Sequence, residues 1–262
     1  MMTKFLVRGM LAGILAGLLS FGFAKVFGEP SVDKAIAFES QMDKLESKEG
    51  GLEQASRHVQ EAAGLPVCKT ACACGELVSR RIQGGWGLFT AIVTYGSAIG
   101  GLFALAFSVA YGRVGNFGPR AIAMLLAGAG FFTIVLIPTL KYPANPPAVG
   151  LAETIGMRTS SYFGMILFSI SIFALSVVLG TSLVKCIGAW NATILAGMAF
   201  VGMIGTVMFL LPSINEVPEL FPAVVLWRFR IASLGTQCVL WTTLGLLFGA
   251  FTERSLRSAY SR

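Results

Sequence analysis

Six apolar stretches alternate with polar connections along the 262 residues, at about 5–27, 84–111, 118–140, 161–185, 187–211 and 229–251. Each is close to the roughly 20 residues that carry a helix across a bilayer core of about 30 Å. The pattern predicts an all-α integral membrane protein, a bundle of about six transmembrane helices forming a single transmembrane domain over 1–262. An even number of passes returns both termini to the same side. One sizeable polar region, 29–83, falls between the first two stretches and is expected as a helical extracytoplasmic loop. Within it Ser31 can cap a helix striped by Val32, Ile36, Met42 and Leu45. Gly50 and Gly51 are expected to interrupt that helix before a second short one around 52–63, with Glu53 and Arg57 paired one turn apart. Either a small helical hairpin over the bundle or a loop without specific contacts follows from this pattern.

Composition narrows the class further. With 55% hydrophobic and only 13% charged residues, the chain is too apolar for a soluble domain of this size. The net charge of +7 does not point to nucleic acid, because the basic residues are spread over short connections instead of clustering with aromatics on one element. They report orientation. Placing both termini in the cytoplasm puts Lys4, Arg8, Arg113, Arg120, Lys185, Arg254, Arg257 and Arg262 inside, against Lys141, Arg158, Arg228 and Arg230 in the short outer loops and Lys25 at an outer helix end, as the positive-inside rule requires. Of the thirteen acidic residues only Glu253 then lies inside. The expected location is a bacterial inner membrane, multi-pass.

Lys4 and Arg8 precede the first apolar run as they would in a secretory signal, but no A-x-A-type exit follows. Gly9, Gly13 and Gly17 repeat at four-residue spacing on one helix face, where a neighbouring backbone can approach closely. The segment is therefore expected to be retained as a packed first helix. Gly96 with Gly100, and Gly245 with Gly249, repeat the spacing.

Candidate chemistry is sparse. Cys68, Cys72 and Cys74 lie in the polar loop with the lone His58 upstream. Their spacing is not a strong zinc pattern, and it suits either a disulfide with an odd thiol or soft-metal ligation. Proton-coupled carriers usually keep a carboxylate or histidine deep in the bundle despite an insertion cost of about 2.5–3.5 kcal/mol per charge. None is present in these apolar stretches. Instead three proline-marked segments reach the same outer surface: Gly28 to Pro30, Tyr142 to Gly150, and Ile214 to Glu219. Proline removes a backbone donor and fixes φ, so such segments are stiff and are expected to end helices. Rigid carbonyls beside carboxylates suit a dehydrating divalent cation, which takes several oxygens at once. The ligand candidates are Glu29, Asp33, Glu153, Asn215, Glu216 and Glu219. Tyr142, Asn145, Arg228, Arg230 and Gln237 are gate or scaffold candidates, the two arginines expected to snorkel or to pair with Glu216, Glu219 or Glu153.

Arg8-Gly9-Met10 with Phe27-Gly28-Glu29-Pro30, the Lys141-to-Gly150 stretch, Asn215-Glu216-Val217-Pro218, and Leu226-Trp227-Arg228-Phe229-Arg230 through Ser233-Leu234-Gly235-Thr236-Gln237 resemble the CbtA family of cobalt transporter subunits. The resemblance runs from end to end and is most specific in the 142–150 and 227–237 segments. It implies an inner-membrane protein that takes up cobalt for cobalamin synthesis, acting with a small single-span, His-bearing partner subunit. No resident cofactor is expected; cobalt or another divalent cation is the transported ion. Thiolates lean toward softer ions and the outer carboxylates toward harder ones, and affinity order alone does not select cobalt over nickel, copper or zinc. The competing reading is a non-transporting, membrane-anchored metal-binding partner that uses the 29–83 loop. A membrane oxidoreductase is poorly supported, since the chain lacks a dinucleotide fingerprint and a Cys-x-x-Cys motif, and no phosphate-binding Gly-x4-Gly-Lys-Ser/Thr loop offers ATP coupling.

Overall fold

A computed structural model describes the backbone of residues 2–58, 79–113, 115–147, 149–150 and 152–260, and the side chains of most of them. The described residues contain helices and no strands. The first helix, α1 (Met2–Phe23), passes through a π-helical turn (Ala24–Gly28) directly into α2 (Glu29–His58). Then come α3 (Arg80–Ile82), a second π turn (Gln83–Gly87) and α4 (Leu88–Ala110). Next, α5 (Pro119–Gly130) leads through a third π turn (Phe131–Leu136) into α6 (Ile137–Lys141). A 3₁₀ turn (Ala152–Thr154) opens α7 (Ile155–Leu210), and α8 (Ala223–Tyr260) closes the described chain. Among the described residues, five helices are long and apolar enough to cross a membrane.

Two expectations fail here. Pro30 does not end the first helix, and Gly50–Gly51 do not break the second, since α2 runs unbroken from Glu29 to His58. A proline inside a regular α-helix clashes with the carbonyl four residues back and leaves it without a donor. The π turn just before Pro30 widens the backbone, with the Glu29 N–H reaching back to the Ala24 carbonyl, and so absorbs the missing bond. Pro138 follows the third π turn in the same way. Two helical glycines cost about 1 kcal/mol each, which Glu, Lys and Gln neighbours with high helix propensity offset in part. The anticipated hairpin is thus, as far as His58, one continuous helix.

The 56 residues of α7 would run roughly 84 Å as a straight rod at about 1.5 Å per residue, far beyond a bilayer core of about 30 Å. They do not run straight. Gly188 has φ 79° and ψ 159°, a region that is essentially glycine-only. A Cβ built on Gly180 would lie 3.2 Å from Ala196 Cβ, and the Phe173 and Phe200 rings are 6.1 Å apart. Residues sixteen and more apart meet because the chain doubles back at Gly188, close to the boundary at 185–187 expected from the apolar pattern. Gly188→Ala is therefore expected to destabilise the protein by about 1–3 kcal/mol, read as a lower thermal midpoint in detergent. An unchanged midpoint would show that this turn is not strained.

The glycine repeats explain how the helices pack. α1 and α4 cross so closely that a Cβ on Gly96 would lie 2.5 Å from the Gly13 carbonyl oxygen, and one on Gly13 would lie 3.1 Å from Gly100 Cα. Gly9 faces Gly100 and Ala104, and Gly17 faces Ile92 and Val93. The opposite face of α1 exposes Leu11, Leu15 and Leu18, side chains suited to lipid. Gly245 and Gly249 of α8 meet Ala127, Met124 and Arg120 of α5 in the same manner. Lipid tails are as apolar as leucine, so close van der Waals approach of small residues, rather than a hydrophobic drive, holds such pairs.

The two ends of the bundle differ. At one end Arg8 donates to Ser255 Oγ, Arg120 pairs with Glu253, and Arg257 bonds Glu253 at 2.8 Å. Just inside that end Phe107 and Phe248 are fully buried with rings 4.9 Å apart, joined by Phe103 at 5.2 Å from Phe248 and by Tyr111 stacked on Phe107. At the other end the connections 142–154 and 211–222 gather against α2, where Phe38 meets Phe221 at 5.2 Å beside buried Ala35 and Val149.

Candidate functional site

That second end holds a cavity of about 920 Å³. Its wall is the proline-rich stretch after α6. Pro143, Pro146 and Pro147 all line it, and a turn closes with the Val149 N–H donating to the Pro146 carbonyl at 3.2 Å. The second wall is the first two turns of α7, with Arg158, Thr159, Tyr162 and Phe163, and the third is Ile214 to Val217 with Arg230 of α8.

Three contacts lock these walls together. Tyr142 Oη donates to the Pro212 carbonyl at 2.8 Å, tying the two proline segments. Arg230 donates through Nη2 to Asn145 Oδ1 at 3.0 Å and through Nε to the Ala144 carbonyl at 3.3 Å. Arg158 Nη1 lies 3.2 Å from Glu216 Oε2, whose side chain is only 8% exposed. Gly150 makes the last contact feasible: with φ +123°, it leaves a space in which any Cβ would sit 2.7 Å from Arg158 Cζ. Only glycine lets that guanidinium lie against the loop backbone.

Of the sequence-predicted residues, Asn215, Glu216, Tyr142, Asn145 and Arg230 are brought to this one cavity. The others are elsewhere. Glu29 and Asp33 stand on the first turns of α2, and Arg80 Nη2 holds both, at 2.9 Å and 3.0 Å. Lys25 adds a 3.8 Å contact to Glu29 and donates to the Gly84 carbonyl at 2.7 Å, so two π turns are bridged at this point. Glu29 and Asp33 thus share one guanidinium. Glu153, Glu219 and Arg228 are exposed and do not line the cavity. The side chain of His58, at the end of α2, and Cys68, Cys72 and Cys74 lie outside the described residues. Among the described residues no group of three or more His, Cys, Asp or Glu side chains could hold a metal ion.

The arginine pairing expected from the sequence is corrected by these contacts. Glu216 is partnered by Arg158, and Arg230 binds an amide and a carbonyl instead of a carboxylate. The apolar pattern starts its fourth stretch at 161 and so leaves Arg158 in a loop, outside the candidate site. A charge one turn inside the start of α7 carries the same signal that marked Arg230. Gln237 lies deeper on α8 and hydrogen-bonds the Tyr95 side chain of α4; Tyr95 in turn neighbours Tyr162 at the cavity wall. Other intramembrane hydroxyls are spent locally: Thr193 and Thr206 donate to carbonyls one turn back on α7 at 2.8 Å.

A helical bundle with five helices long and apolar enough to cross a membrane, packed with aromatic rings at one end and holding a cavity at the other, has the architecture of an integral membrane protein. The chain belongs to the CbtA family, described as a probable cobalt transporter subunit, whose family model matches residues 2–253. Comparison with curated proteins and with solved structures gave no match.

Proposed function

We propose that this chain is the cargo-handling membrane subunit of a cobalt uptake transporter and that the 920 Å³ cavity is its extracytoplasmic vestibule. The observation that carries this reading is the convergence of three separate walls on one cavity, residues 142–147, the start of α7, and 214–217 with Arg230, while the far end is filled by Phe103, Phe107 and Phe248. The reversal at Gly188 makes α7 two passes, for six in all. Both termini then share the end bearing Lys4, Arg8, Arg113, Arg120, Arg254 and Arg257, which the positive-inside rule makes cytoplasmic. Proline stiffening holds the wall open without ordering cost when cargo arrives. Asn145, Asn215 and Glu216 frame the vestibule, with Glu29 and Asp33 latching helices through Arg80 and Glu153 and Glu219 on the outer surface. The small single-span partner, implied by the family resemblance, completes the transporter.

Filling the vestibule tests this. Asn145→Trp and Thr159→Trp are each expected to lower cobalt uptake in whole cells at least tenfold at equal membrane abundance. Uptake within twofold of the parent protein in both variants would place the cargo path somewhere else.

A further inference from the structure

The charge and size of the vestibule bear on the form in which the metal arrives. Its described lining carries three cationic side chains, Lys141, Arg158 and Arg230, and one carboxylate, Glu216, leaving the lining at +2. A desolvating, like-charged wall repels a bare divalent ion. Two side-chain oxygens of the lining are also directed at cations: Glu216 Oε2 at Arg158, and Asn145 Oδ1 at Arg230. A divalent ion needs several such oxygens together. The volume points the same way, because about 920 Å³ lies toward the top of the roughly 300–1,000 Å³ range of cavities that enclose an organic ligand. Guanidinium groups lining a partly enclosed space are matched to carboxylate oxygens, which they bind in charge-assisted pairs.

From this we infer that the vestibule is an oxyanion site, taking the metal as an anionic complex with carboxylate ligands and not as the hydrated cation. This rests on the reading of the cavity as the cargo entrance. Arg230 and Lys141 supply the attraction, and Arg158, set by Glu216 and Gly150, fixes the third positive charge. The hydrated ion is excluded by sign, which gives the site selectivity without thiolate or imidazole ligands.

Two substitution-inert cobalt(III) complexes separate charge from metal: the cobalt(III)–EDTA anion and the hexaamminecobalt(III) cation. Binding is measured on the full chain in nanodiscs of zwitterionic lipid, with aqueous cobalt(II) as a third probe. The expected result is saturable binding of the anion that outcompetes both cations, weakened about tenfold by Arg230→Gln and by Lys141→Gln, retained in Arg230→Lys, and reduced by added salt. Equal or tighter binding of either cation would overturn the inference. So would anion binding unaltered in both charge-removing variants, or no binding of the complex in these nanodiscs while added anionic phospholipid binds and is lost from Arg230→Gln. The two proposals fail separately: tryptophan blocks that spare uptake remove the entrance, whereas effective blocks with a preference for cations remove only the oxyanion site.

Discussion

Gly13→Leu is expected to abolish the cooperative thermal transition of the detergent-solubilised protein, while Gly22→Leu on the same helix leaves the midpoint essentially unchanged. At Gly13 the space for a side chain is occupied by backbone: a Cβ there would stand 2.9 Å from the Gly96 carbonyl carbon and 3.1 Å from Gly100 Cα. No rotamer change relieves such an overlap, so the two helices must separate. Separation removes the whole of the α1–α4 contact, since Gly9, Gly13 and Gly17 share that face with Gly96 and Gly100. A loss above about 4–5 kcal/mol, exceptional for a single substitution, is the scale expected. Gly22 has nothing within 4 Å of its built Cβ, so the added leucine projects into lipid and even gains about 1 kcal/mol of helix propensity. Similar midpoints for the two variants would refute the packing of α1 on α4.

What could be read from the chain follows from which interactions are local. Apolar length and glycine spacing are local: the first makes the chain all-helical and membrane-spanning, with five long apolar helices among the described residues, and the second puts the Gly9, Gly13, Gly17 face against a neighbouring backbone. Proline content was legible as stiffness at 142–150 but misleading at Pro30, because a π turn is a backbone adjustment with no sequence signature of its own. Topology brings the proline segments to one surface, but of the eleven candidates only Tyr142, Asn145, Asn215, Glu216 and Arg230 line the cavity. Which arginine meets Glu216 was not legible, since Arg158 and Arg230 enter from different helices and the choice depends on the space left by Gly150. The same holds for Glu29 and Asp33: a carboxylate looks like a metal ligand in sequence until Arg80, some fifty residues away, is found bonded to both.

The second large effect is expected at the Arg158–Glu216 pair, and its sign separates two pictures of the cavity. Glu216 is 8% exposed and Arg158 28% exposed, so each ion has lost much of its hydration and depends on the other. Removing one partner of a buried pair costs about 3–5 kcal/mol, and the partial exposure of Arg158 puts the lower end of that range in view for Arg158→Gln and Glu216→Gln alike. The double variant is expected to be more stable than either single one, because no charge is then left without its counter-ion; additive losses would mean that the pair is not coupled. Stability thus moves in the same direction for both single changes. Ligand binding should not. Glu216→Gln raises the lining from +2 to +3 and should preserve or tighten binding of an anionic cobalt complex, whereas Arg158→Gln lowers it to +1 and should weaken that binding about tenfold. A vestibule built to coordinate the bare cation through Glu216 requires the opposite order. Comparing the two variants at matched folded fraction therefore reads the sign of the cargo directly.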